Sequence, residues 1–91
     1  MKTPTMNEMA LRALIEGGAI KRIRLIANGA VIHAEVDTLT GTLTASTQKG
    51  SVRTWKSIDA AARWSHRLGL GSIQLELMRW QPKQKGLDLS S

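Results

Sequence analysis

Residues 20–37, IKRIRLIANGAVIHAEVD, constrain the fold more than any other stretch of the chain. Apolar and polar residues alternate on both sides of Asn28-Gly29. This dipeptide is typical of a two-residue hairpin turn, because a type I′ turn needs positive φ at both central positions. We therefore predict a β-hairpin with one apolar face, which carries Ile23, Leu25, Ile32 and Ala34, and one polar face. The pairs predicted on the polar face are Arg22 with Glu35 and Arg24 with His33.

The two arginines on the polar face have two interpretations. They can contact the phosphates of nucleic acid, or they can be solvated charges that oppose edge-to-edge association of the sheet. Arg22 has a predicted carboxylate partner, whereas Arg24 faces a histidine that does not neutralise it. Arg24 is therefore the better candidate for a functional charge. We predict that replacing both arginines with alanine weakens DNA binding while the fold survives.

The other periodicities predict an α+β domain. Thr5 and Glu8 have the spacing of a capping box at the start of a first helix, which Gly17-Gly18 would end. The predicted elements are this helix over 6–16, the two hairpin strands, a third strand over 40–46, a fourth over 51–55, a second helix between the cap Ser57 and Gly69, and a fifth strand over 72–80. We predict the order helix, four-strand antiparallel meander, helix, fifth strand, with both helices packed on one face of the sheet. Residues 1–80 would form a single domain, and residues 81–91 a flexible basic tail with Lys83 and Lys85.

The charge and composition bear on the partner and the compartment. A formal net charge of +6 favours a polyanionic partner such as nucleic acid. The chain has no cysteine, which excludes a disulfide framework and a thiolate metal site. No apolar run approaches the ~20 residues of a membrane span, and the first residues lack the apolar core of a signal peptide. We therefore predict a cytoplasmic protein without membrane contact.

Enzyme signatures are nearly absent from the sequence. Ser65 and His66 are neighbours that project from different sides of a helix, and no nucleophile has an adjacent base. His33 and Glu35 share a strand face, which a solvated hairpin surface explains as well as a metal site. The run GLG at 69–71 ends a helix and is not a phosphate loop. We predict no catalytic residue, no metal, no cofactor and no enzymatic activity.

Basic residues elsewhere extend the candidate site. The candidate nucleic-acid-binding residues are Arg22, Arg24, Arg53, Lys56, Arg63 and Arg67, and the fourth strand would bring Arg53 to the polar sheet face beside Arg22 and Arg24. On the second helix, the basic side is either a solvated face or a ridge that reaches phosphate. The aromatic residues are three tryptophans, Trp55, Trp64 and Trp80. We expect them in the core or at an interface rather than stacked on single-stranded bases.

A family resemblance rests on two runs, LIEGGAIKRIRLIANGAVIHAEV over 14–36 and TLTASTQKGSVRTWKSIDAAARWSHRLGLGSIQLEL over 42–77. They resemble the small partition-associated proteins labelled ParC, which are encoded on plasmids and integrating elements and are unrelated to the topoisomerase subunit of that name. The pattern is hydrophobic spacing with glycines and contains no catalytic signature. The resemblance implies an accessory role beside a ParA-type ATPase and a ParB-type DNA-binding protein.

Together these observations predict a small DNA-associated accessory protein of plasmid or mobile-element maintenance, acting as a homodimer. It would contact phosphates through the basic sheet face, with the second helix as a further contact. The alternative is a protein–protein adaptor of the partition system that makes no direct nucleic-acid contact. The sequence leaves open whether a nucleic-acid target is double-stranded or single-stranded.

Overall fold

A computed structural model describes residues 4–81, which form an α+β fold with two helices and a mixed six-stranded sheet. The elements are β1 (Thr5–Asn7), α1 (Glu8–Glu16), β2 (Ile20–Gly29), β3 (Val31–Thr38), β4 (Gly41–Ser46), β5 (Thr54–Trp55), α2 (Ile58–Arg67) and β6 (Gln74–Trp80). The strand order is β1-β4-β3-β2-β6, and β5 also pairs with β3.

The β2–β3 hairpin forms as predicted but turns one residue later. Asn28 pairs with Val31, so the two turn residues are Gly29 and Ala30. Gly29 has φ +66°, and no non-glycine residue of the described chain has positive φ. One positive φ at the first turn position fits a type II′ turn rather than type I′. Each β2 residue therefore meets a β3 residue two positions further along than predicted. A shift of two preserves the faces, so the predicted faces are correct and the predicted pairs are wrong.

The predicted antiparallel meander is wrong beyond β4. β4 pairs antiparallel with β3 as expected, but the fourth predicted strand shortens to β5, which pairs with β3 at Ile32 and His33. β1, which was not predicted, runs parallel to β4, and β6 runs parallel to β2. Parallel neighbours need a crossover connection, and α2 lies in the long connection that brings β6 back beside β2.

The helix N-termini show which of the predicted capping residues are correct. The side chain of Asn7, not that of Thr5, caps α1, since its Oδ1 accepts a hydrogen bond from Ala10 N at 3.0 Å. The predicted capping box at this end is therefore wrong, and Thr5–Asn7 pair with β4 as β1. At α2 the predicted cap is confirmed, because Ser57 Oγ accepts from Ala60 N at 3.1 Å.

The core lies between the two helices and the apolar face of the sheet, as the prediction of helices on one face required. Its buried members are Leu11, Ile23, Leu25, Ala27, Ile32, Ala34, Val36, Ala45, Trp55, Ala61, Trp64 and Leu68. Trp64 is only 1% exposed, and its ring centroid lies 4.8 Å from that of Trp55. The core role predicted for these two tryptophans is confirmed, whereas Trp80 on β6 is exposed.

In the described range, neither helix is long and apolar enough to cross a membrane. The predicted basic tail, with Lys83 and Lys85, lies outside the described residues apart from Gln81.

Candidate nucleic-acid interface

The polar face of the sheet is organised around Asp37. This sheet polar face comprises Arg22, Arg24, His33, Glu35, Asp37, Thr42, Glu76 and Arg79. The Arg24 guanidinium makes a bidentate contact with Asp37. Its Nε donates to Oδ2 and its Nη2 donates to Oδ1, each at 2.9 Å. Arg22 Nε donates to Asp37 Oδ2 at 2.8 Å, and Thr42 Oγ1 donates to Asp37 Oδ1 at 2.9 Å. The shifted hairpin register produces this cluster, because it places Arg22 beside Asp37.

Arg24 is surrounded by further carboxylates. Its Nη2 lies 3.2 Å from Glu35 Oε1, and its Nη1 lies 3.7 Å from Glu76 Oε2. Glu35 also bonds to His33, at 3.1 Å between Glu35 Oε2 and His33 Nε2. The expectation that Arg24 lacks a carboxylate partner is therefore wrong. So is the expected pairing of Arg22 with Glu35, since Arg22 bonds to Asp37.

The pKa shifts on this face agree with its geometry. The hydrogen bond from Arg24, then that from Arg22, holds the pKa of Asp37 well below its usual range, while partial burial opposes the shift. The hydrogen bond to Asp37 raises the pKa of Arg24, and the charges of Glu35 and Glu76 add to this. Both side chains stay ionised over the physiological range, so the network is a fixed ionic unit.

The positive charge of the protein lies mainly away from this face. On the sheet polar face, Arg22 and Arg24 are opposed by the three carboxylates of Glu35, Asp37 and Glu76. Elsewhere in residues 4–81, seven Lys or Arg side chains stand against three Asp or Glu side chains. The excess of positive charge therefore lies outside the sheet polar face.

An open cleft outside that face contains an unsatisfied arginine. The Arg53 cleft has a volume of about 540 Å³ and is lined by Glu8, Met9, Arg12, Ser46, Thr47, Gln48 and Arg53. The Nε of Arg53 is buried and has no hydrogen-bond partner in the described residues. Buried polar atoms are rarely left unpaired, and each exception calls for an explanation. Arg53 as a whole is only partly buried and lines the cleft, so an anionic ligand there would meet its positive charge.

Arg53 is held by aromatic packing rather than by a carboxylate. Its backbone N–H donates to Ala45 O at 2.9 Å, which anchors the segment between β4 and β5. Its guanidinium carbon lies 5.4 Å from the centroid of the Trp55 ring, within the range of a cation–π contact. Trp55 in turn packs on the buried Trp64. The charge of Arg53 is thus positioned without being neutralised.

Arg12 connects the Arg53 cleft to the end of α2. Its Nη2 donates to Glu8 Oε2 at 3.2 Å, and its Nη1 donates to the backbone oxygen of Arg67 at 3.1 Å. Glu8 also accepts a hydrogen bond from Trp64 Nε1 at 3.3 Å. Sequence reasoning did not identify Arg12. Its contact with Arg67 spans 55 positions of the chain, and no local pattern signals it.

The α2 residues of the predicted site are exposed, as a contact surface requires. Arg67 and Arg63 lie one helical turn apart, and Arg63 Nε is 3.0 Å from Asp59 Oδ2 in a fully solvated pair. Lys56 is exposed just before α2. We call the set Arg12, Arg53, Arg63 and Arg67 the arginine surface. Of the six predicted residues, Arg63 and Arg67 belong to it as expected, and Arg22 and Arg24 lie on the sheet polar face. The expected position of Arg53 beside Arg22 and Arg24 is wrong, because it lines a cleft with α1 residues instead.

Within residues 4–81, no three His, Asp or Glu side chains converge as ligands for a metal ion. Comparison of the chain with protein-family models, with curated proteins and with solved structures gave no match. The resemblance to the partition-associated ParC proteins therefore stays a prediction.

Proposed function

We propose that this protein binds the phosphate backbone of nucleic acid through the arginine surface, as an accessory of plasmid or mobile-element maintenance. The observation that carries the proposal is that Arg53 lines an open cleft together with Arg12 and has no carboxylate partner within the described residues. Phosphate oxygens are strong acceptors for such donors, and arginine matches their geometry.

The energetic argument favours Arg53 over the sheet arginines. Arg53 has no carboxylate partner in the described residues, so a phosphate in the Arg53 cleft would not have to displace one. Arg24 would instead have to give up two short bonds to Asp37 before it could bind a phosphate. The proposal therefore moves the predicted contact from the sheet to the helical side.

The two core tryptophans near the arginine surface favour backbone contact over base stacking. Trp55 and Trp64 are buried in the core, and neither ring is available to a nucleotide base. Binding led by phosphates is insensitive to base sequence and falls steeply with salt. We propose that duplex DNA is the better ligand, because it presents the higher phosphate density.

The test is fluorescence anisotropy of labelled duplex and single-stranded DNA over a salt series. The key variant is Arg53→Gln, and Arg22→Gln is its matched control, because both remove one arginine charge. We expect Arg53→Gln to weaken duplex binding and to reduce the slope of log affinity against log salt by about 0.9. Arg22→Gln should leave both quantities nearly unchanged. Equal effects of the two variants would contradict the site, and no binding of the unaltered protein at low salt would contradict the function.

The alternative is an adaptor that offers the same arginine surface to an acidic protein, such as a ParA-type or ParB-type partner. Carboxylates would then take the place of phosphates beside Arg53. Pull-down from a nuclease-treated lysate separates the two functions, since an adaptor retains its partner and an association through DNA is lost.

A further inference from the structure

The outer strand β6 exposes apolar side chains along an open sheet edge. β2 pairs with one edge of β6, and no strand of the described chain pairs with the other. Leu75 lies beside the buried Leu25 in the parallel register, so it continues the apolar face of the sheet past the cover of the helices. Leu77 is 44% exposed, and Met78 is 96% exposed. Open apolar edges of this kind invite pairing with another strand.

An irregularity divides β6 into two halves. Glu76 pairs with Ile26 and Arg79 pairs with Asn28, so Leu77 and Met78 together lie opposite Ala27. Such a bulge reverses the alternation of the faces beyond it. Glu76 and Arg79 consequently lie on the same face, where both line a cavity of about 360 Å³ beside His33. Beyond the bulge, Trp80 lies beside Gly29, on the apolar face.

We propose that the β6 strands of two copies of this chain pair antiparallel about a twofold axis between Leu77 and Met78. Residues opposite each other in an antiparallel pair share a face. About this axis, Leu75 meets Trp80 of the second copy on the apolar face. Glu76 meets Arg79 of the second copy on the polar face. Twofold symmetry makes each of these pairs twice, as a self-complementary interface requires.

Charge complementarity identifies a second copy as the occupant of this edge. Arg79 has no ion pair within the described residues. The ion pair of Glu76 there is a 3.7 Å contact with Arg24, and Glu76 Oε2 also accepts a hydrogen bond from Gln74 Nε2 at 3.1 Å. Self-pairing places the opposite charges of Glu76 and Arg79 against each other. It also covers Leu75, Leu77 and Trp80 of each copy with apolar side chains of the other copy. A register centred on Glu76 would bring two carboxylates together, and a register centred on Leu77 would place Leu75 against the polar-face residue Arg79.

The first experiment measures the mass of the full chain by sedimentation, without DNA, over a range of concentrations. We expect a reversible dimer. Glu76→Arg and Arg79→Glu should each weaken the dimer at least tenfold, because each places like charges across the axis. The double variant should restore it, since the pair is then reversed. Thermal unfolding of each variant checks that the fold persists, and Arg63→Glu, on α2, is the matched control.

A cross-linking experiment gives a second readout that does not depend on charge. The chain contains no cysteine, so a single introduced thiol is unique. Met78→Cys lies next to the twofold axis, whereas Met9→Cys, on α1, is also well exposed and serves as the control. We expect Met78→Cys to form a covalent dimer under mild oxidation much faster than Met9→Cys. A monomer at all concentrations, no rescue in the charge-reversed double variant, or equal cross-linking of the two cysteines would each overturn the proposal.

Discussion

The sheet polar face and the arginine surface both present arginines, and they differ in what those arginines meet. Arg24 bonds to Asp37 through two nitrogens and has Glu35 and Glu76 nearby. Arg53 rests on the ring of Trp55, and its buried Nε has no partner in the described chain. The difference shows that an arginine on a strand face is neutralised when the neighbouring strands bring carboxylates beside it, as Asp37, Glu35 and Glu76 do for Arg24.

The largest expected effect concerns Trp64, whose ring packs beneath the arginine surface. Trp64→Ala removes the ring on which Trp55 packs and the donor to Glu8. We expect a loss of about 3–5 kcal/mol of unfolding free energy, typical of a large core truncation. Urea unfolding followed by circular dichroism measures it. Met9→Ala, an exposed change on α1, should stay within about 0.5 kcal/mol of the unaltered protein. Similar values for both variants would contradict the packing described for α2.

The next effect tests whether the sheet polar face is a structural ionic unit. Asp37→Asn removes the acceptor shared by Arg22 and Arg24, so the free energy of unfolding should fall at neutral pH. The pKa of Asp37 is depressed by folding, so its contribution is complete above the unfolded pKa of about 3.9 and declines below it. Urea unfolding from pH 7 to pH 3 should show the two proteins converging as the pH falls. A difference that stays constant with pH would contradict this.

The same substitution tests whether carboxylate pairing is what keeps the sheet arginines from binding phosphate. Asp37→Asn leaves Arg22 and Arg24 without their main partner, so they become available to phosphates. We expect duplex DNA affinity to rise and the salt slope to steepen by up to about 1.8, since each phosphate contact adds about 0.9. Thr42→Val is a control that removes a neutral donor to Asp37 and should not change the slope. If Asp37→Asn binds DNA as the unaltered protein does, pairing with Asp37 is not what keeps Arg22 and Arg24 from binding phosphate.

The smallest effect concerns the exposed pair on α2. Asp59→Asn releases Arg63 from a solvated contact one helical turn away. Such pairs contribute about 0.3–0.5 kcal/mol, so the unfolding midpoint should hardly move. DNA affinity should rise slightly, because the arginine surface gains one net positive charge. A decrease in affinity would place the α2 arginines outside the binding site.

The faces of the sheet could be predicted from sequence because alternation alone determines them. The pairs could not, because Asn28-Gly29 and Gly29-Ala30 both make two-residue turns, and the choice moves the partner of Arg22 from Glu35 to Asp37. The position of β6 beside β2 could not be predicted from local patterns either, because alternation of apolar and polar residues indicates a strand but not which strand it pairs with.

The candidate site was only partly predictable for a related reason. Arg63 and Arg67 were identified from the helix pattern as basic residues on the outer side of α2, whereas Arg53 was expected on the polar sheet face. The Arg53 cleft, however, is assembled from α1, the end of β4 and the segment before β5, which are distant in the chain. That Arg53 lacks a partner while Arg24 has several depends on tertiary packing, which composition does not encode.

The parallel pairing of β2 with β6 also affects how the chain folds. Arg24 lies beside Gln74, fifty positions later, whereas the β2–β3 hairpin closes through a turn of two residues. Local contacts form early, and pairings between distant segments form slowly, because the loop between them must first be closed. The hairpin is therefore expected to form before β6 docks. Until it docks, the edge of β2 is unpaired, and during synthesis it stays open until the residues of β6 have been made.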